Sequence, residues 1–159
     1  MKLERAYEKH ADMLYRLALS HLKNREDAED TVQEVFVKYM HHFSILTDEE
    51  HERAWLIRTT VNRCYDLLKY NSKRNHEDIY EMAEEIAADE NEQHIEIFQI
   101  LEKLPAKNKT VIVLHYLEGF SVEEIARMLR ISVSAVKMRL SRGREQMKEV
   151  IEREENHVS

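Results

Sequence analysis

Proline occurs once in this chain, at Pro105, and glycine only twice, at Gly119 and Gly143. Reverse turns between strands draw on these residues for their backbone angles, so a fold of many hairpins has little to build them with. Cysteine also occurs once, at Cys64; no intramolecular disulfide is possible, and a single thiol suits a reducing compartment. No apolar run approaches the roughly 20 residues that a membrane span needs. The start, Met1-Lys2-Leu3-Glu4-Arg5, is charged where a signal peptide would be apolar. A soluble, cytoplasmic chain without membrane insertion is expected. What is plentiful is Glu, Lys, Leu, Ile, Met and Arg, most of which enter a helix at little cost. The 43% hydrophobic fraction is too high for a disordered acidic chain. The expected fold class is all-α.

The net charge of −7 argues at first against a nucleic-acid partner. Its distribution reverses that reading. Residues 53–74 carry six bases against Asp66 alone, a net +5, and residues 127–148 carry seven bases against Glu145 alone, a net +6. Between them, residues 77–104 carry ten acids against Lys103, a net −9. Phosphate neutralisation drives non-specific DNA affinity, so an acidic total with two basic islands predicts weak binding to arbitrary DNA. It leaves room for reading DNA when another protein supplies most of the charge.

Apolar residues recur at helical spacing from the start: Leu3, Tyr7, Ala11, Leu14, Leu17 and Ala18, then Ala28, Val32, Val35, Phe36 and Tyr39 after a break at 23–25. Residues 41–52 read as a connecting loop, and a third helix carries Ala54, Trp55, Val61, Tyr65 and Leu68. The pattern predicts two small helical domains, over 1–75 and 95–153, joined by an acidic linker at 76–94 and ending in a frayed tail at 154–159. In the second domain, helices are expected at about 107–117, 121–129 and 133–151.

The sharpest local signal lies at 121–144. Ser121 with Glu124 three residues on is a capping box. Ile125, Ala126 and Leu129 would face inward on a first helix, Ile131 would plug the turn, and Ser132 would cap a second helix buried through Val136, Leu140 and Met147. That second helix then turns Ser134, Lys137, Met138, Ser141, Arg142 and Glu145 outward, as a recognition helix does toward a major groove. Arg139, Arg144 and Lys148, with Ser134, are candidate phosphate contacts. The blander reading is a basic amphipathic helix on a bundle surface.

A second constellation interleaves Trp55, Tyr65 and Tyr70 with Arg58, Arg63 and Lys69, a mixture that suits unstacked bases. Asn62 could hydrogen-bond a base edge. Equally, Trp55 and Tyr65 could be core and the cations a solvated face. A third is acidic: Asp27, Glu29, Asp30, Gln33 and Glu34 lie away from the apolar stripe of their helix, either as a solvated face or as a docking surface for a basic partner. An enzyme finds little support. Neither glycine belongs to a phosphate-binding loop, the nine histidines form no convincing ligand set, and Cys64 lacks zinc-like spacing. No cofactor or metal is expected.

Taken together, Arg25-Glu-Asp-Ala-Glu-Asp-Thr-Val-Gln-Glu-Val-Phe36, Trp55-Leu-Ile-Arg58 with Asn62-Arg-Cys-Tyr-Asp66-Leu-Leu-Lys69, and Leu104-Pro105 followed by the helix-turn-helix resemble the sigma-70 superfamily. The likeness is to its small extracytoplasmic-function class, which keeps only regions 2 and 4, and covers about residues 3–75 and 95–150. The resemblance implies a subunit that binds core RNA polymerase and directs promoter-specific initiation. Asp27, Asp30, Gln33 and Glu34 would meet the clamp coiled coil of the largest polymerase subunit. Arg58, Asn62, Arg63 and Lys69 would meet the −10 element, Asn62 holding a flipped base. Lys137, Met138, Ser141 and Arg142 would read −35 bases. An inhibitory anti-sigma partner is implied too, and the acidic linker would thread the polymerase RNA channel. Two positions depart from the family pattern: Arg130 stands where the turn usually has Gly, and Lys69 where Arg is frequent. The competing reading from another class is an autonomous helix-turn-helix regulator acting as a dimer.

Overall fold

The computed structural model describes residues 2–70 and 92–158, with the side chains of 92–96 and 156–158 left aside. The acidic linker expected at 76–94, and with it the proposed passage through an RNA channel, lies outside the described residues up to 91. Among the described residues the chain is helical throughout and contains no strand. No described helix is long and apolar enough to cross a membrane.

Helices α1 (Lys2–Leu22), α2 (Arg25–His42) and α3 (Glu49–Tyr70) form the first half. The α1/α2 corner is made by Lys23, which takes a left-handed φ of 60°, and by Asn24, whose Oδ1 accepts the Asp27 amide at 3.0 Å. Acids then follow in the first turn, where the helix dipole favours them. The loop expected at 41–52 is shorter than that. α2 continues to His42, a 3₁₀ turn covers Phe43–Ile45, and α3 starts at Glu49 because Asp48 Oδ1 caps the His51 amide at 2.7 Å. Leu46, between them, is buried. On α1 the inward face is Ala6, His10, Ala11, Leu14, Leu17, Ala18 and His21, so Tyr7, expected in the stripe, is half-exposed instead.

The second half comprises α4 (Glu92–Glu102), α5 (Ala106–Ile112), α6 (Val122–Leu129) and α7 (Val133–Val158). Pro105 ends α4 and starts α5, since it lacks the amide a helix interior needs. α5 does not end cleanly. Residues Val113–Leu117 form a π-helical turn closed by Glu118 N–H to Val113 O at 3.0 Å, and Gly119 at φ +78° turns the chain toward α6. α7 runs well past the expected end at 151, into the supposed tail. Val150 is buried and a Glu149–Arg153 pair of i,i+4 type at 3.9 Å supports the extension.

The two halves are packed on each other. One continuous apolar core joins Leu14, Leu17, Tyr39, Leu56 and Ile57 to Leu101, Val111, Ile112, Leu114, Ile125, Val136 and Leu140. Each such side chain contributes about 1.5–3 kcal/mol on leaving water. α3 lies against α6, and α1 lies against α4 and α5. The seam also holds polar groups. Thr110 Oγ1 donates to Ala106 O (3.0 Å) and accepts from Tyr65 Oη (2.7 Å) and His21 Nε2 (2.9 Å), which uses its one proton and both lone pairs.

Candidate nucleic-acid interface

The helix-turn-helix is built from α6 and α7. Ser121 Oγ accepts the Glu124 amide at 3.1 Å while Glu124 Oε1 accepts the Ser121 amide at 3.0 Å, so the capping box is present with both bonds. Those bonds and the Arg53 and Arg127 guanidiniums hold the Glu124 carboxyl below the usual range. Ile125 and Ala126 are buried as expected; Met128 is buried where Leu129 was expected, and Leu129 is only half-buried. The turn places Arg130 at φ 58°, ψ 45°, with its amide on Arg127 O (3.4 Å) and the Ile131 amide on Ala126 O (3.1 Å). This is the left-handed stop that usually takes glycine, here carried by an arginine at a steric cost of order 1 kcal/mol. Ser132 Oγ then caps α7 through the Ala135 amide at 3.0 Å.

α7 divides cleanly. Val136, Leu140 and Gly143 are buried, while Ser134, Lys137, Met138, Ser141, Arg142, Arg144 and Lys148 are exposed. All the residues expected to face bases therefore share one open face, with Met138 47% exposed. Arg139 differs. It is half-buried, unlike the residues of the open face, and its charge favours the Tyr65 phenolate.

α3 presents a different picture. Asn62 and Lys69 are exposed as a reading surface requires. Arg58 is not free: its Nη1 donates to Met128 O at 3.0 Å, capping the C-terminal end of α6. Burial and the nearby Arg130 guanidinium hold it below its ordinary pKa. One and a half turns earlier, Arg53 pairs with Glu124 at 3.3 Å and stacks over the Phe120 ring at 4.8 Å. Both ends of α6 are thus held by arginines of α3. Arg63 donates to Glu34 at 2.6 Å, an ion pair between two residues expected to serve different partners, and that bond raises its pKa. Trp55 packs near His42 (5.5 Å) and Tyr39 (6.3 Å), and Tyr65 is bonded to Thr110 and meets the His21 ring edge-on at 5.6 Å. The core reading of these two aromatics is the one realised here; Tyr70, 85% exposed, is the aromatic that faces outward. Burial also pushes the Cys64 thiol up to about 12, which leaves it no thiolate near neutrality.

On α2, Asp30, Gln33 and Glu34 are exposed and Asp27 is half-buried beside the Asn24 cap. Sequence reasoning missed what adjoins them. An open groove of about 470 Å³ runs between α1 and α2, floored by Leu3, Tyr7, Phe36, Val37 and Met40 and rimmed by Glu4, Glu8 and Gln33. Val37 and Met40 each leave about half their surface in water. Their position one turn beyond Gln33 and Glu34 was the available signal.

Residues 6–74 match the sigma-70 region 2 family and residues 94–147 match sigma-70, region 4. The RNA polymerase sigma factor SigV of Bacillus subtilis is 31% identical over 137 residues, covering 84% of this chain and 81% of that one. The chain belongs to the sigma-70 family. Relatives named as extracytoplasmic-function sigma factors include SigW of Bacillus subtilis, 31% identical over 86% of this chain and 82% of its own length. SigE of Mycolicibacterium smegmatis is 30% identical over 89% of this chain, which spans only 58% of that relative's length. Among solved structures, CnrH in complex with the cytosolic domain of CnrY superposes with a TM-score of 0.71 at 27% identity, over 94% of this chain and 87% of that one. RpoE of Bartonella quintana, solved with the anti-sigma factor NepR, shares the fold at a TM-score of 0.73, over 95% of this chain and 97% of that one, with 19% identity.

Proposed function

We propose that this sigma-70 family chain binds core RNA polymerase and directs it to promoters. Residues 1–75 serve the polymerase and the −10 element, and residues 95–153 read the −35 element. The observation that carries this reading is α7: Ser134, Lys137, Met138, Ser141 and Arg142 stand exposed on one face of a capped helix whose other face is buried. The acidic α2 face of Asp27, Asp30, Gln33 and Glu34, extended by the groove at Val37 and Met40, supplies a docking surface for the polymerase. Asn62 and Lys69 are available to the −10 element. The chain is a specificity subunit rather than a catalyst, and it acts in the cytoplasm, where transcription takes place. The relative CnrH is described in complex with the cytosolic domain of CnrY, which supports a protein partner here, and the family resemblance implies that such a partner is an inhibitory anti-sigma factor.

Because the end of α6 holds Arg58, contact of that guanidinium with the −10 element requires α6 to leave α3. A −10 and a −35 element two and a half turns apart are separated by roughly 85 Å of duplex, at about 34 Å per turn, which a molecule with one shared core does not span.

Run-off transcription with core polymerase on a promoter library tests the reading. Start-site selectivity that appears only with this chain supports it; tight operator binding by the chain alone, as a dimer, would support the autonomous regulator, for which the α2 face and groove have no use.

A further inference from the structure

Three features of the second half converge on one arginine. The first is Gly143. A Cβ there would lie 2.7 Å from Ile112 Cγ1 and 2.9 Å from Cδ1, so the bare glycine lets the α7 backbone lie directly on α5. Asn108 Nδ2 donates to Gln146 Oε1 at 3.1 Å in the same contact and fixes its register. The second is the π-helical turn at Val113–Leu117. By adding a residue to that turn it rotates Tyr116 outward, 52% exposed, although Val113 and Leu114 just before it are fully buried. The turn is itself tied down, since His115 Nδ1 is bonded to Phe120 O at 2.7 Å and its ring meets Tyr116 edge-on at 4.8 Å. The third is the result. Arg144, the residue after Gly143, donates from Nη1 to Tyr116 Oη at 3.0 Å.

Arg144 lies on the helical stripe Lys137, Ser141, Arg144, Lys148, at offsets of four, seven and eleven residues, and all four are exposed. A long, freely rotating guanidinium loses rotamer entropy when it settles on a phosphate. One already fixed by a hydroxyl loses less, and its remaining donors stay directed outward.

We propose that Tyr116 is a positioning residue for DNA recognition, its hydroxyl holding Arg144 ready for a backbone phosphate beside the bases that α7 reads. This rests on the sigma reading of α7 and adds a residue outside the helix-turn-helix to it. Phosphate contacts fix register without carrying sequence information, so the effect belongs to affinity across all promoters rather than to the choice among them.

The test uses the full chain assembled with core polymerase, and duplexes recovered from the run-off selection as the probe. Tyr116→Phe removes the hydroxyl and keeps the ring. It is expected to weaken duplex binding roughly two- to tenfold, the worth of one net hydrogen bond, by a similar factor on every recovered promoter and with an unshifted thermal transition. Arg144→Ala weakens binding further, and adding Tyr116→Phe to it changes nothing more. If Tyr116→Phe has no effect alone, or costs as much in the Arg144→Ala background as in the wild type, the positioning role is overturned; in the second case the hydroxyl acts on its own. A wild-type chain that selects promoters normally in that experiment leaves the sigma reading intact while this inference falls. A wild-type chain without selectivity sinks both.

Discussion

The two cationic helices of this molecule carry similar charge and use it differently. In α3, Arg53, Arg58 and Arg63 are each engaged within the chain, by Glu124, the Met128 carbonyl and Glu34. In α7, Lys137 and Arg142 lie on an open face, and Arg144 is bonded to a tyrosine hydroxyl, which leaves its charge uncompensated by that contact. Counting bases along the sequence gives the two segments nearly equal standing. In the fold, Arg53 and Arg58 tie α3 to α6 across the seam between the halves, whereas α7 holds Lys137 and Arg142 on a face open to solvent. Substitutions in α3 are therefore expected to change the stability of the free chain, and substitutions on the open face of α7 to change only recognition.

The largest break in that comparison is Thr110→Val. It strips the hydrogen-bond partner from Tyr65 and from the fully buried His21, at about 1–3 kcal/mol for each buried group left without a partner. Calorimetry is expected to show a melting temperature lowered by roughly 5–10 °C, at about 2–4 °C per kcal/mol for a chain of this size. Promoter preference of the holoenzyme should stay unchanged.

Next comes the pair Arg142→Ala and Arg58→Ala. Arg142→Ala should cost roughly 1–3 kcal/mol of discrimination between −35 sequences if its guanidinium meets a base edge, with no shift in melting. Arg58→Ala should do the reverse in the free chain. It removes a charged hydrogen bond at the C-terminal end of α6 and lowers stability by about 1–2 kcal/mol. Melting curves together with a −35 mutant panel check both; equal melting shifts for the two variants would erase the contrast between the helices.

Acidification probes the seam more gently. Burial lowers the His21 pKa to about 3, with the Lys109 and Lys23 charges adding to the effect. Its Nδ1 has no hydrogen-bond partner among the described residues. The folded state therefore keeps His21 neutral, while the unfolded chain takes up its proton near 6.5. Between those values the unfolded state binds more protons, so stability is held above about 6.5 and falls as the pH drops toward 3. Lys109, lowered to about 7 by burial, carries the same sign in a higher window: stability rises from about 7 toward its ordinary value of 10.5. A series of melts from pH 8 to pH 5 should show a progressive fall, and His21→Gln should flatten its acid part.

The smallest expected effect is Arg130→Gly, which relieves the left-handed strain of the turn by up to about 1 kcal/mol and offsets part of it by loosening the unfolded chain. A melting shift near zero or slightly upward is expected.

Much of this was legible in the residues. Apolar spacing placed the helices, Ser121 with Glu124 announced α6, and the split of α7 into buried Val136 and Leu140 against exposed Lys137, Met138, Ser141 and Arg142 follows from periodicity alone. Arg130 flagged a strained turn and has one. What escaped were relations across long separations. Nothing near Arg58 signals that a carbonyl 70 residues away will accept its hydrogen bond, and nothing near Glu34 signals Arg63. The shared core, Thr110 as a triple hub, and the approach at Gly143 that brings Arg144 to Tyr116 arise only when helices distant in sequence are packed. The π-helical turn is likewise invisible to a pattern of period 3.6.

The central claim is that α3 is bound to α6 while the chain is alone and must part from it to read promoters. Fluorescence energy transfer between dyes on Asp12→Cys of α1 and Glu152→Cys of α7, both exposed and away from the reading faces, measures this directly; the native Cys64 is buried with a raised thiol pKa and competes little for label. A single short-distance population is expected in the free chain, shifting to a separation of tens of Å when core polymerase and promoter are added. An already extended free chain, or a short distance that persists in a transcribing complex, would contradict it.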